Sequence, residues 1–427
     1  MNVTYSDDAI TPFGGLHFVF ELLADEGIDQ LINTHLGPRA ANSQYGWSDL
    51  VYGLMGILFC GGDCAEDMAQ HVGPYLDSEQ LQAPSPDTLL RLQKALASRE
   101  TEYCSPRGVR HQFNWNGPLA RGNLKVLTQL GELQAGTGYT LDYDNVILET
   151  EKADARRTYR SPYGYQPGVG MIGDKIVYVE NRNGNSEPMF QQYRTIRRLF
   201  WALRSQGIQI KRFRADSGSY VGAVVDWVSR QCESIYIKAR LNASVKARIA
   251  DITDWERDAE GGQWASIGFT PFKRSRQRWS DAPPQTFRLV VRRRPDSDGQ
   301  GNLFTEDAYD YHAILSSDWQ ASDQEVFAFY RRRGRRERQF DVRKNDFGWK
   351  QLPFSRLPQN TVYLLLTALI RNLYGVVITR LSEKLAYLQP RYRLKKFIFR
   401  FITVPAKWIR TGRQWWLKLY TPKLYPD

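Results

Sequence analysis

The stretch Tyr139-Thr-Leu-Asp-Tyr-Asp-Asn-Val-Ile-Leu148 decides the fold class. Its β-branched and aromatic residues make it a strand. Successive side chains along a strand alternate between faces, so Asp142 and Asp144 project to the same side. Two carboxylates on one face of an apolar strand are costly unless something positive compensates them. Residues 169–172 and 176–179 read as two further strands, joined by a tight turn at Gly173-Asp174. A helical stretch over 188–206 leads into a strand over 208–213, which ends at Ala215-Asp216-Ser217-Gly218. Residues 220–230 are helical, and 234–238 form another strand. Asp216 therefore stands where a strand gives way to a helix, in reach of a carboxylate on a neighbouring strand.

Three antiparallel-type strands followed by helix, strand, helix and strand is the order of a ribonuclease-H-like α/β core. The remaining sequence arranges itself around that core. Residues 1–135 are mostly helical by periodicity, with Leu16, Phe20 and Leu23 on one face and Leu50, Leu54, Ile57 and Leu58 on another. Ser85-Pro86-Asp87-Thr88 marks a helix start. This N-terminal helical domain is expected to bind DNA or to pack on the next domain. The first part of the core spans 136–241. A β-rich insertion over 242–323 breaks the helix–strand alternation, and the core resumes over 324–390. Residues 391–427 form a basic, aromatic C-terminal segment, in which Phe397-Ile-Phe-Arg-Phe-Ile402 suits either a phosphate-tracking surface or a strand packed on the core.

Composition narrows the partner. The 427 residues carry 58 Lys and Arg against 46 Asp and Glu, for a net charge of +12. Residues 380–427 alone hold 12 Lys and Arg against 2 Asp and Glu. Such a surplus favours a polyanion, with nucleic acid first. The four cysteines show no C-x-x-C and the five histidines no cluster, which excludes a disulfide framework and a structural zinc site and points to a reducing compartment. The N-terminus lacks the pattern of a signal peptide. The most apolar stretch, residues 361–378, is interrupted by Arg371 and Asn372, so no membrane segment is expected.

The late Arg-rich segment Tyr330-Arg-Arg-Arg-Gly-Arg-Arg-Glu337-Arg-Gln-Phe-Asp-Val-Arg-Lys344 reads as a helix. At about 100° per residue, Tyr330, Arg333, Glu337 and Lys344 fall within about 60° of one another. This Y-x2-R-x3-E-x6-K spacing resembles the signature of DDE transposases of bacterial insertion sequences, in particular the family numbered thirteen-eighty. Other landmarks in order are Thr11-Pro-Phe-Gly-Gly15, Pro86-Asp-Thr-Leu-Leu-Arg91, Leu141-Asp-Tyr-Asp144, Gly164-Tyr-Gln-Pro167, Arg182-Asn-Gly-Asn185 and Arg214-Ala-Asp-Ser-Gly218. The resemblance covers nearly the whole chain.

That resemblance implies cleavage and joining of double-stranded DNA at terminal inverted repeats by in-line attack on phosphodiesters. Asp144, Asp216 and Glu337 would be the catalytic acids. They would hold two Mg²⁺ ions, or Mn²⁺ in their place, to activate the attacking hydroxyl and stabilise the leaving oxygen. Tyr330, Arg333 and Lys344 would contact DNA phosphates, with Arg331, Arg332, Arg335, Arg336 and Arg338 along the DNA path. The family has Asp-x-Thr at the first acid, where this chain has Asp144-Asn145-Val146. Asp144 takes the place of that aspartate, and Asp142 is the alternate ligand. Trp255, Trp264, Trp279 and Trp319 are candidates to stack a flipped base. A homodimer acting on paired ends in the bacterial cytoplasm, nucleoid-associated when on DNA, is implied by analogy. The competing readings are a catalytically inactive, transposase-derived DNA-binding protein and a nuclease of the same fold without strand transfer.

Overall fold

A computed structural model describes residues 3–4, 7–73, 83–258, 261–273, 279, 283–295 and 309–426, with only the backbone of His71 and of 335–339. Among these residues, eleven strands form one mixed sheet. In chain order they are β1 (Thr101–Cys104), β2 (Arg110–Asn114), β3 (Gly138–Asn145), β4 (Gly168–Ile172), β5 (Lys175–Arg182), β6 (Gln209–Ala215), β7 (Ser234–Lys238), β8 (Glu256–Arg257), β9 (Gln263–Phe269), β10 (Phe287–Pro295) and β11 (Tyr309–Ser316). Across the sheet the order is β8-β9-β10-β11-β7-β6-β3-β4-β5-β2-β1. The central strands β3, β6 and β7 are parallel, and each wing is antiparallel. Gly173, at φ 59°, makes the β4–β5 turn that the sequence places there.

Strand alternation divides the centre of the sheet cleanly. Leu141, Tyr143, Phe213, Ala215, Ile235 and Ile237 are buried in a single apolar cluster with the helices Gln192–Arg204 and Gly222–Val228. Between them, Asp142, Arg214 and Tyr236 are paired neighbours on adjacent strands and face the other way. Tyr236 packs there with Val326 and Phe327 of the helix Asp323–Arg331. The second face also receives the N-terminal helices Gly15–Asp25, Ile28–Leu36, Trp47–Phe59 and Pro86–Ala95, which share one apolar core with Leu357–Lys384. Ser85 caps the Pro86 helix by accepting from the Thr88 amide at 3.3 Å, as its sequence predicts.

The helix Leu357–Lys384 is long and apolar enough to cross a membrane, yet 89% of its most apolar 18-residue window is buried inside the protein. Its polar residues serve the sheet. Asn372 accepts from the Ile176 amide at 2.9 Å and donates to the Ile176 carbonyl at 2.8 Å, with Asn123 bound alongside. A side-chain amide thus meets the needs of a backbone pair on β5.

Several segments differ from the sequence reading. The helical head contains the hairpin β1–β2, which extends the sheet from its edge through Phe113–Arg182 and Asn114–Asn181 pairing. The β-rich insertion is the other wing of the same sheet, because β11 pairs directly with β7. Residues 397–402 do not form a strand. The segment is helical, in the short turns Leu394–Phe397 and Ile398–Ile402. Phe397 and Phe401, four residues apart, stack with ring centroids 5.1 Å apart inside the core, while Phe399 is 70% exposed. A hairpin, Ala406–Thr411 with Gln414–Leu419, then pairs with Ile10–Thr11 and ties the C-terminal segment to the N-terminal one.

Candidate active site

Parallel pairing of β3 with β6 brings Asp142 level with Arg214 and Tyr143 level with Ala215. One residue further, Asp144 and Asp216 stand side by side, with the two strands only about 4.8 Å apart. Asp216 turns the chain out of the sheet by accepting the Gly218 amide at 3.0 Å on Oδ1. Asp144 Oδ1 accepts the amide of Asn145 at 2.9 Å. Burial pushes the Asp144 carboxyl up to about 6 against the pull of Arg333, and the neighbouring Asp216 carboxylate adds to the rise.

Arg333 reaches these acids from the opposite element. It lies in a 3-10 turn, Arg332–Gly334, between the α-helices Asp323–Arg331 and Arg335–Asp346. The Arg-rich segment is therefore two helices joined by a tightened turn rather than one uniform helix. Arg333 Nη2 lies 2.6 Å from Asp144 Oδ2, with both side chains largely buried. Tyr330 hydrogen-bonds Arg333, and its hydroxyl is held above the usual range, first by burial and then by Asp216 and Asp144. Asp144, Asp216, Tyr330 and Arg333 thus converge at one place. The two carboxylates are hard oxygen donors of the kind that suits a divalent cation such as Mg²⁺.

The other candidates are more dispersed. Glu337 belongs to the helix Arg335–Asp346, but its side chain lies outside the described residues, as do those of Arg335, Arg336 and Arg338. Lys344 is eleven residues beyond Arg333, ~16 Å along a helix at ~1.5 Å per residue. It lines a separate cavity of about 170 Å³ with Leu58, Gly62 and Asp63. Asp142 shares the face of Asp144, but Arg214 binds both its oxygens, at 2.7 and 2.9 Å. Arg214 also donates to the Phe329 carbonyl at 2.6 Å and so ties the strand to the helix above it. Of the tryptophans, Trp264 is core, with its indole N–H on Asp258 at 2.8 Å. Trp255 lies under Arg293 and Trp279 against Phe272, while Trp319 is 54% exposed.

Residues 2–426 match the family described as Transposase DDE domain group 1. The chain belongs to this family of DDE transposases. No curated protein matches it. Among solved structures it is similar to the piggyBac transposase in a cryo-EM synaptic complex with hairpin DNA, at 13% identity and a TM-score of 0.46. That likeness covers 91% of this chain and 80% of the other.

The transposase also carries a buried support that sequence reasoning passed over. Glu180 on β5 is fully buried and accepts from Thr195 at 2.6 Å, from Tyr178 at 2.8 Å and from Arg198 twice at 2.9 Å. Arg182 lies beside it and donates to the Tyr143 hydroxyl at 3.2 Å, behind the strand that bears the acids. Burial alone would raise the Glu180 carboxyl, but Arg198 and Arg182 hold it below the ordinary range. Its stabilisation is therefore present above the unfolded value of about 4.3 and is lost as pH falls through the folded one. Glu180→Gln should cost about 3–5 kcal/mol by leaving buried arginines uncompensated. Urea unfolding should show that loss at pH 7 and a smaller difference from wild type near pH 3.

Proposed function

We propose that this transposase cleaves and joins DNA at the terminal inverted repeats of a bacterial insertion sequence, using two Mg²⁺ ions held by Asp144, Asp216 and Glu337. The observation that carries the reading is the placement of Asp144, near the end of β3, beside Asp216, just past the end of the parallel strand β6, with Tyr330 and Arg333 over them. The strand order β5-β4-β3-β6-β7, with β4 alone reversed against the other four, supports a ribonuclease-H-like core. The Y-x2-R-x3-E-x6-K spacing supports the thirteen-eighty family.

Bound Mg²⁺ would supply Lewis-acid chemistry for in-line phosphodiester displacement. The chain's own residues position the ends. Arg333 can fork across two phosphate oxygens, and Tyr330 donates a hydroxyl beside it. Lys344 lies further along the chain, in the helix Arg335–Asp346, and would hold the backbone away from the cut. Arg214 engages both oxygens of Asp142 and is itself tied to the Phe329 carbonyl, a structural task that favours Asp144 as the ligand. No covalent protein–DNA intermediate is required, and a homodimer would hold two ends together.

The test is incubation with a supercoiled plasmid that carries the element's own ends, with Mg²⁺ or EDTA. Mg²⁺-dependent breaks at both ends followed by joining to target DNA are expected. Binding without breaks would indicate a DNA-binding relic, and breaks without joining a nuclease.

A further inference from the structure

We propose that Arg333 is an internal counter-ion of the metal site, which holds Asp144 in the DNA-free protein and is drawn off it by a DNA phosphate, so that DNA and metal bind cooperatively. The inference rests on the reading of Asp144 and Asp216 as metal ligands and adds the regulation of that site.

Three observations carry it. The guanidinium sits directly on the carboxylate a cation would need, at 2.6 Å, with side-chain exposures of 15% for Arg333 and 22% for Asp144. Asp142, two residues away, already has its own arginine in a bidentate pair, so Arg333 is not needed to neutralise it. Arg333 also keeps a donor in reserve, because its buried Nε has no hydrogen-bond partner among the described residues.

The turn that carries Arg333 is suited to such an exchange. Arg332–Gly334 is 3-10 between two α-helices, and a side chain at Gly334 would meet nothing within 4 Å. A shift of this turn therefore meets no packed neighbour at Gly334. A phosphate offers the guanidinium the same fork geometry as a carboxylate. Once Arg333 turns to phosphate, Asp144 and Asp216 are left as two adjacent carboxylates facing a cation's place. Metal then binds more tightly, and linkage requires that metal tighten DNA by the same factor.

The experiment is Mn²⁺ titration of the full-length protein, read as free Mn²⁺ by electron paramagnetic resonance, for wild type, Arg333→Gln and Asp144→Asn. Arg333→Gln should bind Mn²⁺ more tightly than wild type, by about 5–150-fold, while it loses DNA cleavage. A second arm needs no variant. Duplex DNA added to the wild type, with a DNA-only blank subtracted, should tighten Mn²⁺ by a similar factor. The proposal is overturned if Arg333→Gln binds Mn²⁺ no more tightly than wild type, or if DNA leaves the wild-type affinity unchanged. The reading of the acids fails separately, if Asp144→Asn binds Mn²⁺ as the wild type does.

Discussion

Asp144→Asn should abolish Mg²⁺-dependent cleavage of terminal-repeat DNA while leaving DNA binding intact. A single electrostatic contact to a developing charge is worth about 10²–10³ in rate, and a ligand that positions the metal should cost at least about 10³. The substitution keeps the size of the side chain and removes no positive surface. Asp142→Asn should behave differently, because the structure gives Asp142 another task. Its two oxygens hold Arg214, and Arg214 holds the Phe329 carbonyl next to Tyr330. Losing that charge strands a buried arginine and should cost about 3–5 kcal/mol of stability. The folded fraction should still cleave, more slowly by about 10–100-fold, as expected for a residue that supports ligands without being one. Cleavage rates at several Mn²⁺ concentrations, beside urea unfolding of both variants, separate the two roles. A dead but stable Asp142→Asn beside an active Asp144→Asn would move the site two residues along the strand.

Affinity for DNA should fall by about 10³–10⁵ between 50 and 200 mM salt, as for a protein that neutralises several phosphates. The structure also shows where to look for the contacts. Deleting the tail from Arg391 is unsuitable, since Leu394, Phe397, Phe401 and Ile402 are core residues and the C-terminal hairpin pairs with Ile10–Thr11. The exposed Lys395 and Lys396 instead line an open cleft of about 680 Å³ with Asp341, Asn345, Arg393 and Phe399. Each lysine replaced by Gln should lower the slope of log affinity against log salt by about 1. Fluorescence anisotropy on labelled duplex across that salt range measures it. An unchanged slope in the double variant would place the phosphates elsewhere.

The centre of the sheet was legible because local and long-range signals agree there. β-branched and aromatic runs with alternating polarity mark β3, β6 and β7, and their parallel register puts Asp144 and Asp216 together. The hairpin β1–β2 was missed because Thr101–Cys104 is an edge strand with alternate residues exposed, and it offers no apolar run to read. The insertion looked separate because its link to the core is a pairing between β7 and β11, more than seventy residues apart in sequence. In residues 397–402 two aromatics at i and i+4 serve a helix as well as alternation serves a strand, and packing on Tyr374 and Phe59 decided for the helix. The Asp142–Arg214 pair had a signal after all. Each residue lies two positions before an acid, on strands whose register was already implied.

Asp144 and Asp216 are proposed to hold jointly the ions that cut DNA. Anomalous scattering from crystals of the protein–DNA complex grown with Mn²⁺ tests it most directly. Two peaks about 3.5–4 Å apart, with Asp144 and Asp216 as ligands and Arg333 turned to phosphate, are the predicted result. Mn²⁺ bound at Asp142, or absent from these carboxylates with DNA in place, would contradict it.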